Sequence, residues 1–133
     1  MILVDSSVWI DYFNGTVTPE STQLDAMLGV QAICIGDLIL AEVLRGFRYD
    51  KDYKTAKVLL ESLTLYDLAG RDIAIKSAEY YRLLRAKGVT IRKTIDTIIA
   101  TFCIENNLSL LHSDKDFHAF HQYLNLKNAL IGR

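Results

Sequence analysis

The sequence predicts an α/β fold in which a central, mostly parallel sheet of about five strands is flanked by helices. Short apolar runs rich in branched residues recur along the chain, and segments with helical periodicity separate them. Alternation of strands and helices is typical of a parallel sheet covered on both faces. The length of 133 residues and the 50% hydrophobic content predict one domain, residues 1–133, with a sizeable core.

The first half of the chain contains two predicted strands and three predicted helices. Ile2–Val4 is too short for a helix and predicts a buried strand that ends at Asp5. The side-chain oxygens of Asp5–Ser7 suit the first turn of a helix through Val8–Phe13, which Asn14-Gly15 ends. The next elements are a helix at Ser21–Leu28, a strand at Ala32–Ile35 bounded by Gly36, and a helix at Leu38–Phe47 with Asp37 as its N-cap.

The second half continues the alternation without an internal repeat or a linker. Its predicted elements are a helix at Lys51–Leu63, a strand at Leu65–Leu68, a helix at Asp72–Lys87 closed by Gly88, a helix at Thr94–Glu105, a strand at Leu108–Leu111, a short helix near Phe117 and a strand at Asn128–Ile131. Each strand is a short apolar run, and each helix shows an apolar stripe or an end signal.

Charge and composition exclude several classes of protein. Fifteen Lys and Arg against sixteen Asp and Glu leave a net charge of −1, so nucleic-acid binding would depend on a local patch. Cys34 and Cys103 lack a metal-type spacing, which excludes a disulfide scaffold and a zinc ribbon. The N-terminus has no basic segment of a signal peptide, and no apolar stretch approaches the ~18–20 residues of a membrane helix. We therefore expect a soluble, cytoplasmic protein.

Five acidic residues stand at positions that need an explanation. Ligands bind beyond the carboxyl ends of parallel strands, and Asp5, Asp114 and Asp116 closely follow two of the predicted strands. Each alone could be an ordinary turn or cap residue. Glu42 and Asp96, however, interrupt largely apolar helical segments, where an unpaired carboxylate costs several kcal/mol. A nearby arginine would explain one such acid, whereas several converging acids point to a metal ion.

Repulsion between the carboxylates favours a metal ion as the partner that they share. Two carboxylates about 4 Å apart repel each other by roughly 4 kcal/mol at an effective dielectric constant of about 20. A cluster of four would need divalent cations to stay ionised at neutral pH. Because the ligands would all be oxygens, Mg²⁺ or Mn²⁺ is the expected ion. Such ions suit phosphoryl chemistry.

Four segments carry a resemblance to a known family. They are Asp5–Asp11 (DSSVWID), Leu40–Gly46 (LAEVLRG), Ile95–Ala100 (IDTIIA) and Leu110–Phe117 (LLHSDKDF). Each is weak alone, but together, in this order and across nearly the whole chain, they resemble the signature blocks of PIN-domain ribonucleases. The likeness is closest to the VapC-type toxins of toxin–antitoxin pairs.

The resemblance implies functional residues and partners. It implies a catalytic, metal-binding quartet made up of Asp5, Glu42, Asp96 and Asp114. It implies Asp116 as a further metal-binding acid and Ser7 as a support for Asp5. The implied protein is a homodimeric endoribonuclease that depends on Mg²⁺ or Mn²⁺. A VapB-type antitoxin would hold it inactive by entering the acidic groove. The toxin would reach DNA only through this antitoxin. His112 departs from the Thr or Ser more usual in such proteins, and we assign it no function.

The expected reaction is in-line attack of water on an RNA phosphodiester, which leaves a 5′-phosphate and a 3′-hydroxyl. A basic stretch without acids could position the RNA, or it could be a solvated helix end. Its candidate RNA-binding residues are Arg82, Arg85, Arg92 and Lys93.

Other residues have a structural interpretation. His118 and His121 are expected to be surface polar residues rather than half a metal site. Trp9 is expected to be exposed, at a dimer or antitoxin contact. Five aromatic residues are expected in the core or at a dimer contact: Phe13, Tyr49, Tyr53, Tyr80 and Tyr81.

Two rival functions fit parts of this pattern. A haloacid dehalogenase-type phosphatase would need a second acid where Ser7 stands, which sets that class aside. A catalytically silent PIN-fold protein, which binds RNA or an antitoxin in a repressor complex, remains the alternative. The complete set of acids favours catalysis.

Overall fold

The first strand lies at the centre of a five-stranded parallel sheet. A computed structural model describes residues 1–132. The strands are β1 (Ile2–Val4), β2 (Ile33–Gly36), β3 (Thr64–Tyr66), β4 (Ser109–Leu111) and β5 (Lys127–Asn128). Their order across the sheet is β3-β2-β1-β4-β5, and every neighbouring pair is parallel. The predicted α/β fold with a parallel five-stranded sheet is therefore confirmed.

Seven α-helices connect and flank these strands in the described part of the chain. They are α1 (Ser6–Asn14), α2 (Pro19–Met27), α3 (Asp37–Leu44), α4 (Asp50–Glu61), α5 (Arg71–Ala86), α6 (Thr94–Glu105) and α7 (His118–Leu124), with a 3₁₀ turn at Lys115–Phe117 before α7. The bounds of α6 are those predicted, because its apolar stripe is long and an Asn-Asn pair follows it. The last strand is shorter than predicted and begins one residue earlier.

The junction between β2 and α3 differs from its prediction. Asp37, predicted as the N-cap of α3, is its first residue, and its Oδ1 accepts hydrogen bonds from the amides of Leu38 (2.8 Å) and Leu68 (3.0 Å). Gly36 is the last residue of β2, and a Cβ there would lie 2.3 Å from the Leu68 side chain. The close approach of Leu68 therefore requires glycine at position 36. The hydrogen bond from the Leu68 amide connects the start of α3 to the segment that follows β3.

Trp9 is part of the core rather than a surface residue. Its side chain is fully buried and stacks on Phe13, with ring centroids 5.8 Å apart, so its predicted exposure is wrong. The physical reason is that α1 packs against α2 and α3, and this turns the Trp9 side of the helix inward. By contrast Tyr49 and Tyr53 are exposed, which contradicts a core role for these two rings.

The central strands β1 and β4 end side by side at one edge of the sheet. β1 and β4 are in register, with Val4 opposite Leu111, and the amide of Asp5 donates to the Leu111 carbonyl at 2.9 Å. Residues that follow these strands therefore leave the sheet side by side. Within residues 1–132, no helix combines the length and the apolar character that a membrane span requires.

Candidate metal centre

Three carboxylates converge at this edge of the sheet. Asp114 and Asp116 follow β4, and Asp96 lies in the first turn of α6. One oxygen from each can be chosen so that all three lie within 4.8 Å of one another. A helix N-terminus favours negative charge, which suits the position of Asp96. Segments far apart in sequence thus contribute acids to one small volume.

Asp5 and Glu42 lie next to this group and interact with it electrostatically. Asp5, only 4% exposed, caps α1 and accepts hydrogen bonds from the Ser7 amide (3.1 Å) and hydroxyl (2.6 Å). Glu42 accepts a hydrogen bond from the Ser6 hydroxyl. The charge of Glu42 helps to raise the pKa of Asp5, and the charge of Asp5 helps to raise the pKa of Asp96. The predicted quartet therefore occupies one region, although the tightest group contains Asp116 rather than Asp5 or Glu42.

Burial makes these acids hard to ionise without a cation. Desolvation, followed by repulsion from Asp5, Asp114 and Asp116, raises the pKa of Asp96 to about 6, and Lys93 opposes this shift. Desolvation also raises the pKa of Asp5, against the hydrogen bonds from Ser7. Burial is the largest cause of both shifts, and it disfavours the charged form of each carboxyl.

The environment of Asp96 fits a divalent cation. Its Oδ2 is buried and has no hydrogen-bond partner among residues 1–132. A buried polar atom without a partner is costly and calls for an explanation such as an ion. The neighbouring donors are carboxylate oxygens, which are the ligands that Mg²⁺ and Mn²⁺ prefer. The residues present therefore fit such an ion.

Arginine neutralisation does not account for the cluster. Arg92 forms an ion pair with Asp116, with Nη2 3.1 Å from Oδ2, and its side chain is 72% exposed. Among the described residues, no Lys or Arg lies within 4 Å of the carboxylates of the predicted quartet. One acid of the five thus has its own cation, and the other four have none within 4 Å among the described residues.

Ser7 joins the two strand ends that carry the acids. Its hydroxyl donates to Asp5 and accepts a hydrogen bond from the Ser113 amide at 3.2 Å. The side chain therefore spans from the end of β1 to the segment after β4. This arrangement holds Asp5 in place relative to Asp114.

A pair of histidines lies beside Asp114, and the sequence predicts no function for it. His112 is buried; its Nδ1 accepts from the Asp114 amide (3.2 Å), and its Nε2 lies 2.8 Å from Nε2 of His121. Nδ1 of His121 lies 2.7 Å from the Leu126 carbonyl. All three contacts are hydrogen bonds if Nδ1 of His121 donates to the Leu126 carbonyl and Nε2 of His112 donates to Nε2 of His121. Each ring then carries one proton.

The electrostatic environment keeps His112 neutral. Burial, with His121 and His118 nearby, lowers the pKa of His112 to about 4. The expectation that His121 is a surface residue is wrong, because it is partly buried and stacks on His112 with ring centroids 5.0 Å apart. His118 is exposed as expected. The nine-residue spacing of the pair gives no local sequence signal, since a turn lies between the two rings.

The predicted basic residues lie in two separate parts of the structure. Arg92 and Lys93 lie directly before α6, beside the acids, as the Asp116 ion pair and the effect of Lys93 on Asp96 show. Arg82 and Arg85 lie on α5 and line a separate cleft against α6. All four remain candidates for contact with RNA.

The fold and the site together define an α/β protein with a cluster of acids that could hold a metal ion, at the carboxyl edge of a parallel sheet. The profile of the PIN domain matches residues 2–121, so the chain belongs to the PIN-domain family. The resemblance drawn from the four sequence segments is thereby confirmed.

Similar proteins span nearly the whole chain. A VapC ribonuclease of Mycobacterium bovis and the ribonuclease VapC11 of Mycobacterium tuberculosis are each 29% identical over 131 residues, which cover 97% of this chain and 98% of theirs. Among solved structures, VapBC2 from Rickettsia felis, bound to a DNA fragment from its promoter, is similar with a TM-score of 0.72 and 20% identity, over 96% of this chain and 97% of that chain.

Proposed function

We propose that this protein is a metal-dependent endoribonuclease, the toxin of a toxin–antitoxin pair, which hydrolyses RNA phosphodiesters. The observation that carries the proposal is the buried, unpartnered Oδ2 of Asp96 within a group of converging carboxylates. The ribonuclease names of the M. bovis and M. tuberculosis relatives support RNA as the substrate. The proposed place of action is the cytoplasm.

Each acid has a distinct proposed role in holding Mg²⁺ or Mn²⁺. Asp96 and Asp114, with Asp5 beside them, would hold the ion that acts in hydrolysis. Glu42 is oriented by Ser6 at the flank of the site, and Asp116 would contribute when it exchanges its contact with Arg92. When bound, such an ion polarises the phosphate and lowers the pKa of a nearby water.

The proposed partners follow from the same site. A VapB-type antitoxin would neutralise the acidic groove, and we propose that the active toxin is a homodimer. The structure from R. felis, VapBC2 bound to a DNA fragment from the promoter, supports an antitoxin partner. The toxin itself would reach DNA only through this partner.

The test is RNA cleavage by the purified protein with Mg²⁺, with Mn²⁺ and with EDTA. We expect cleavage with either metal and none with EDTA, with 5′-phosphate ends on the products. Asp96→Asn and Asp114→Asn should abolish cleavage, since each removes the charge of a ligand oxygen. Asp25→Asn, at an exposed acid of α2, is the matched control and should cleave normally.

Two outcomes would contradict the proposal. Undiminished cleavage in EDTA or by Asp96→Asn would exclude the metal centre as the active site. Binding of RNA or of the antitoxin with no cleavage under any metal condition would favour the catalytically silent alternative.

A further inference from the structure

Hydrogen bonds through two histidine rings connect the end of α7 to the backbone of Asp114. Nδ1 of His121 lies 2.7 Å from the Leu126 carbonyl, and its Nε2 lies 2.8 Å from Nε2 of His112. Nδ1 of His112 in turn lies 3.2 Å from the Asp114 amide nitrogen. These two rings, called the histidine pair below, thus join a helix end to one of the proposed metal ligands.

Both ends of the histidine pair have a fixed hydrogen-bonding role. A backbone carbonyl can only accept, so Nδ1 of His121 must carry a proton. A backbone amide can only donate, so Nδ1 of His112 must carry none. The one remaining proton lies on Nε2 of His112 and is accepted by Nε2 of His121. A second proton on either ring would bring two donors face to face, so the contacts allow a single arrangement.

The far end of the histidine pair is held by α7 and by the sheet. The Leu126 amide donates to the Phe120 carbonyl at 3.1 Å, and Asn125 ends the helix in the left-handed conformation, with a φ of 59°. Leu126 is 4% exposed and directly precedes β5, which pairs with β4. The Leu126 carbonyl therefore has a defined position relative to the sheet, from which it orients the ring of His121.

The near end of the histidine pair lies in the turn that presents Asp114. This residue caps the 3₁₀ turn: its Oδ1 accepts from the Asp116 amide at 2.9 Å, and its carbonyl accepts from the Phe117 amide at 3.2 Å. Both contacts lie inside the turn and would move with it. The contact with His112 differs, because His121 connects that ring to a separate helix. The histidine pair therefore helps to fix the Asp114 backbone relative to the rest of the fold.

Burial makes this arrangement costly to lose. His112 is 6% exposed, and its ring packs against the fully buried Phe117, with centroids 4.8 Å apart. A buried donor or acceptor that loses its partner is not easily satisfied by water. If Nδ1 of His112 took the proton, it would oppose the Asp114 amide and that hydrogen bond would be lost. The tautomer of His112 thus decides whether the turn that carries Asp114 is held.

We propose that His121 is a positioning residue for the metal centre, which sets the tautomer of His112 and thereby the place of Asp114. In the described chain the hydrogen bonds of His121 go to Leu126 and His112 rather than to an acid, so it acts through His112. The inference rests on the proposed function, in which Asp114 holds the metal ion. Partners behind a metal ligand commonly determine how tightly the metal is bound.

The first test reads the tautomers from ¹H–¹⁵N NMR spectra of the histidine rings in EDTA at pH 7.5. We expect a proton on Nε2 of His112 and on Nδ1 of His121, each as a single tautomer. In His121→Leu, which offers no acceptor, His112 should become a mixture of tautomers, and the Asp114 amide should exchange with solvent faster than in the wild type. The opposite tautomers in the wild type would overturn the proposal, even if no variant folded.

The second test is calorimetry with Mn²⁺, which shows whether the tautomer affects the metal centre. His121→Leu should weaken Mn²⁺ binding by about 10-fold, the scale for a residue behind a metal ligand. His121→Gln is the conservative variant, because its amide offers one donor and one acceptor, and it should stay within about 3-fold of the wild type. His118→Gln, at an exposed ring of the same helix, is the matched control and should bind Mn²⁺ like the wild type.

The melting temperature distinguishes positioning from a purely structural role. His121→Leu removes two hydrogen bonds and should melt at a lower temperature in either case. A lower melting temperature with the Mn²⁺ affinity of the wild type would mean that the histidine pair only stabilises the fold, which would overturn the proposal.

Cleavage assays separate this proposal from the ribonuclease function. His121→Leu should need about 10-fold more Mn²⁺ for half-maximal cleavage and should regain most of kcat at saturating Mn²⁺. Mn²⁺ affinity that depends on His121, in a protein that cleaves no RNA, would support the positioning role and refute the ribonuclease function. Cleavage with an unchanged Mn²⁺ requirement in His121→Leu would refute the positioning role alone, and a wild type that binds no Mn²⁺ would refute both.

Discussion

Replacement of Asp96 by asparagine should stabilise the metal-free protein at neutral pH. Burial and neighbouring acids raise the pKa of Asp96 from 3.8 to about 6. The folded protein therefore resists ionisation of this carboxyl more than the unfolded chain does. Below about pH 3.8 the group is neutral in both states and has no effect. Above that pH the folded state loses stability progressively, until the loss is complete once the pH has passed about 6, and asparagine removes this loss.

The expected magnitude follows from the size of the pKa shift. Each unit of pKa difference corresponds to about 1.4 kcal/mol, so a shift from 3.8 to about 6 corresponds to at most about 3 kcal/mol. The asparagine amide brings a buried donor of its own, which offsets part of the gain. We expect Asp96→Asn to raise the free energy of unfolding by about 1–3 kcal/mol at pH 7.5, and the melting temperature by about 3–10 °C.

The assay is urea or thermal unfolding of both proteins in EDTA between pH 4 and pH 8. The difference between the two proteins should be largest above pH 6.5 and should disappear near pH 4. The titration of His112 is common to both proteins and cancels in the difference. Asp25→Asn, an exposed control, should shift the curves by less than about 0.5 kcal/mol. Mg²⁺ or Mn²⁺ should stabilise the wild type far more than Asp96→Asn.

An equal or lower stability of Asp96→Asn at pH 7.5 in EDTA would contradict this prediction. That result would mean that the folded protein already compensates the Asp96 charge, so the carboxylate would not require a cation. A stability difference that persists unchanged at pH 4 would also contradict it, since the effect could not then arise from ionisation.

Two further predictions concern the groups that support the acids. Ser7→Ala should weaken Mn²⁺ binding by about 10- to 100-fold in calorimetry, because it removes the hydroxyl that holds Asp5; unchanged affinity would mean that Ser7 does not orient this ligand. His112→Asn should reduce the loss of stability between pH 6.5 and pH 4 relative to the wild type, because His112 must gain a proton on unfolding in that interval. Its pKa is near 4 in the folded state and returns to about 6.5 when unfolding exposes the ring, so parallel acid-unfolding curves for the two proteins would contradict a buried neutral ring.

The residues by themselves determined the architecture and the identity of the converging acids. Apolar runs of three or four residues separated by amphipathic segments specify buried parallel strands and covering helices, because burial depends on the local period of apolar side chains. Acids at the ends of strands could be assigned to one edge, since all parallel strands end on the same side. The long apolar stripe of α6 gave its bounds without tertiary information.

The tertiary structure alone decided which side chains meet. The burial of Trp9, the contact of His112 with His121, and the grouping of Asp116 with Asp96 depend on packing between elements. The local period of apolar residues specifies which face of a helix or strand is apolar. Which side chains come into contact depends instead on distances of a few ångströms between segments that are remote in the chain.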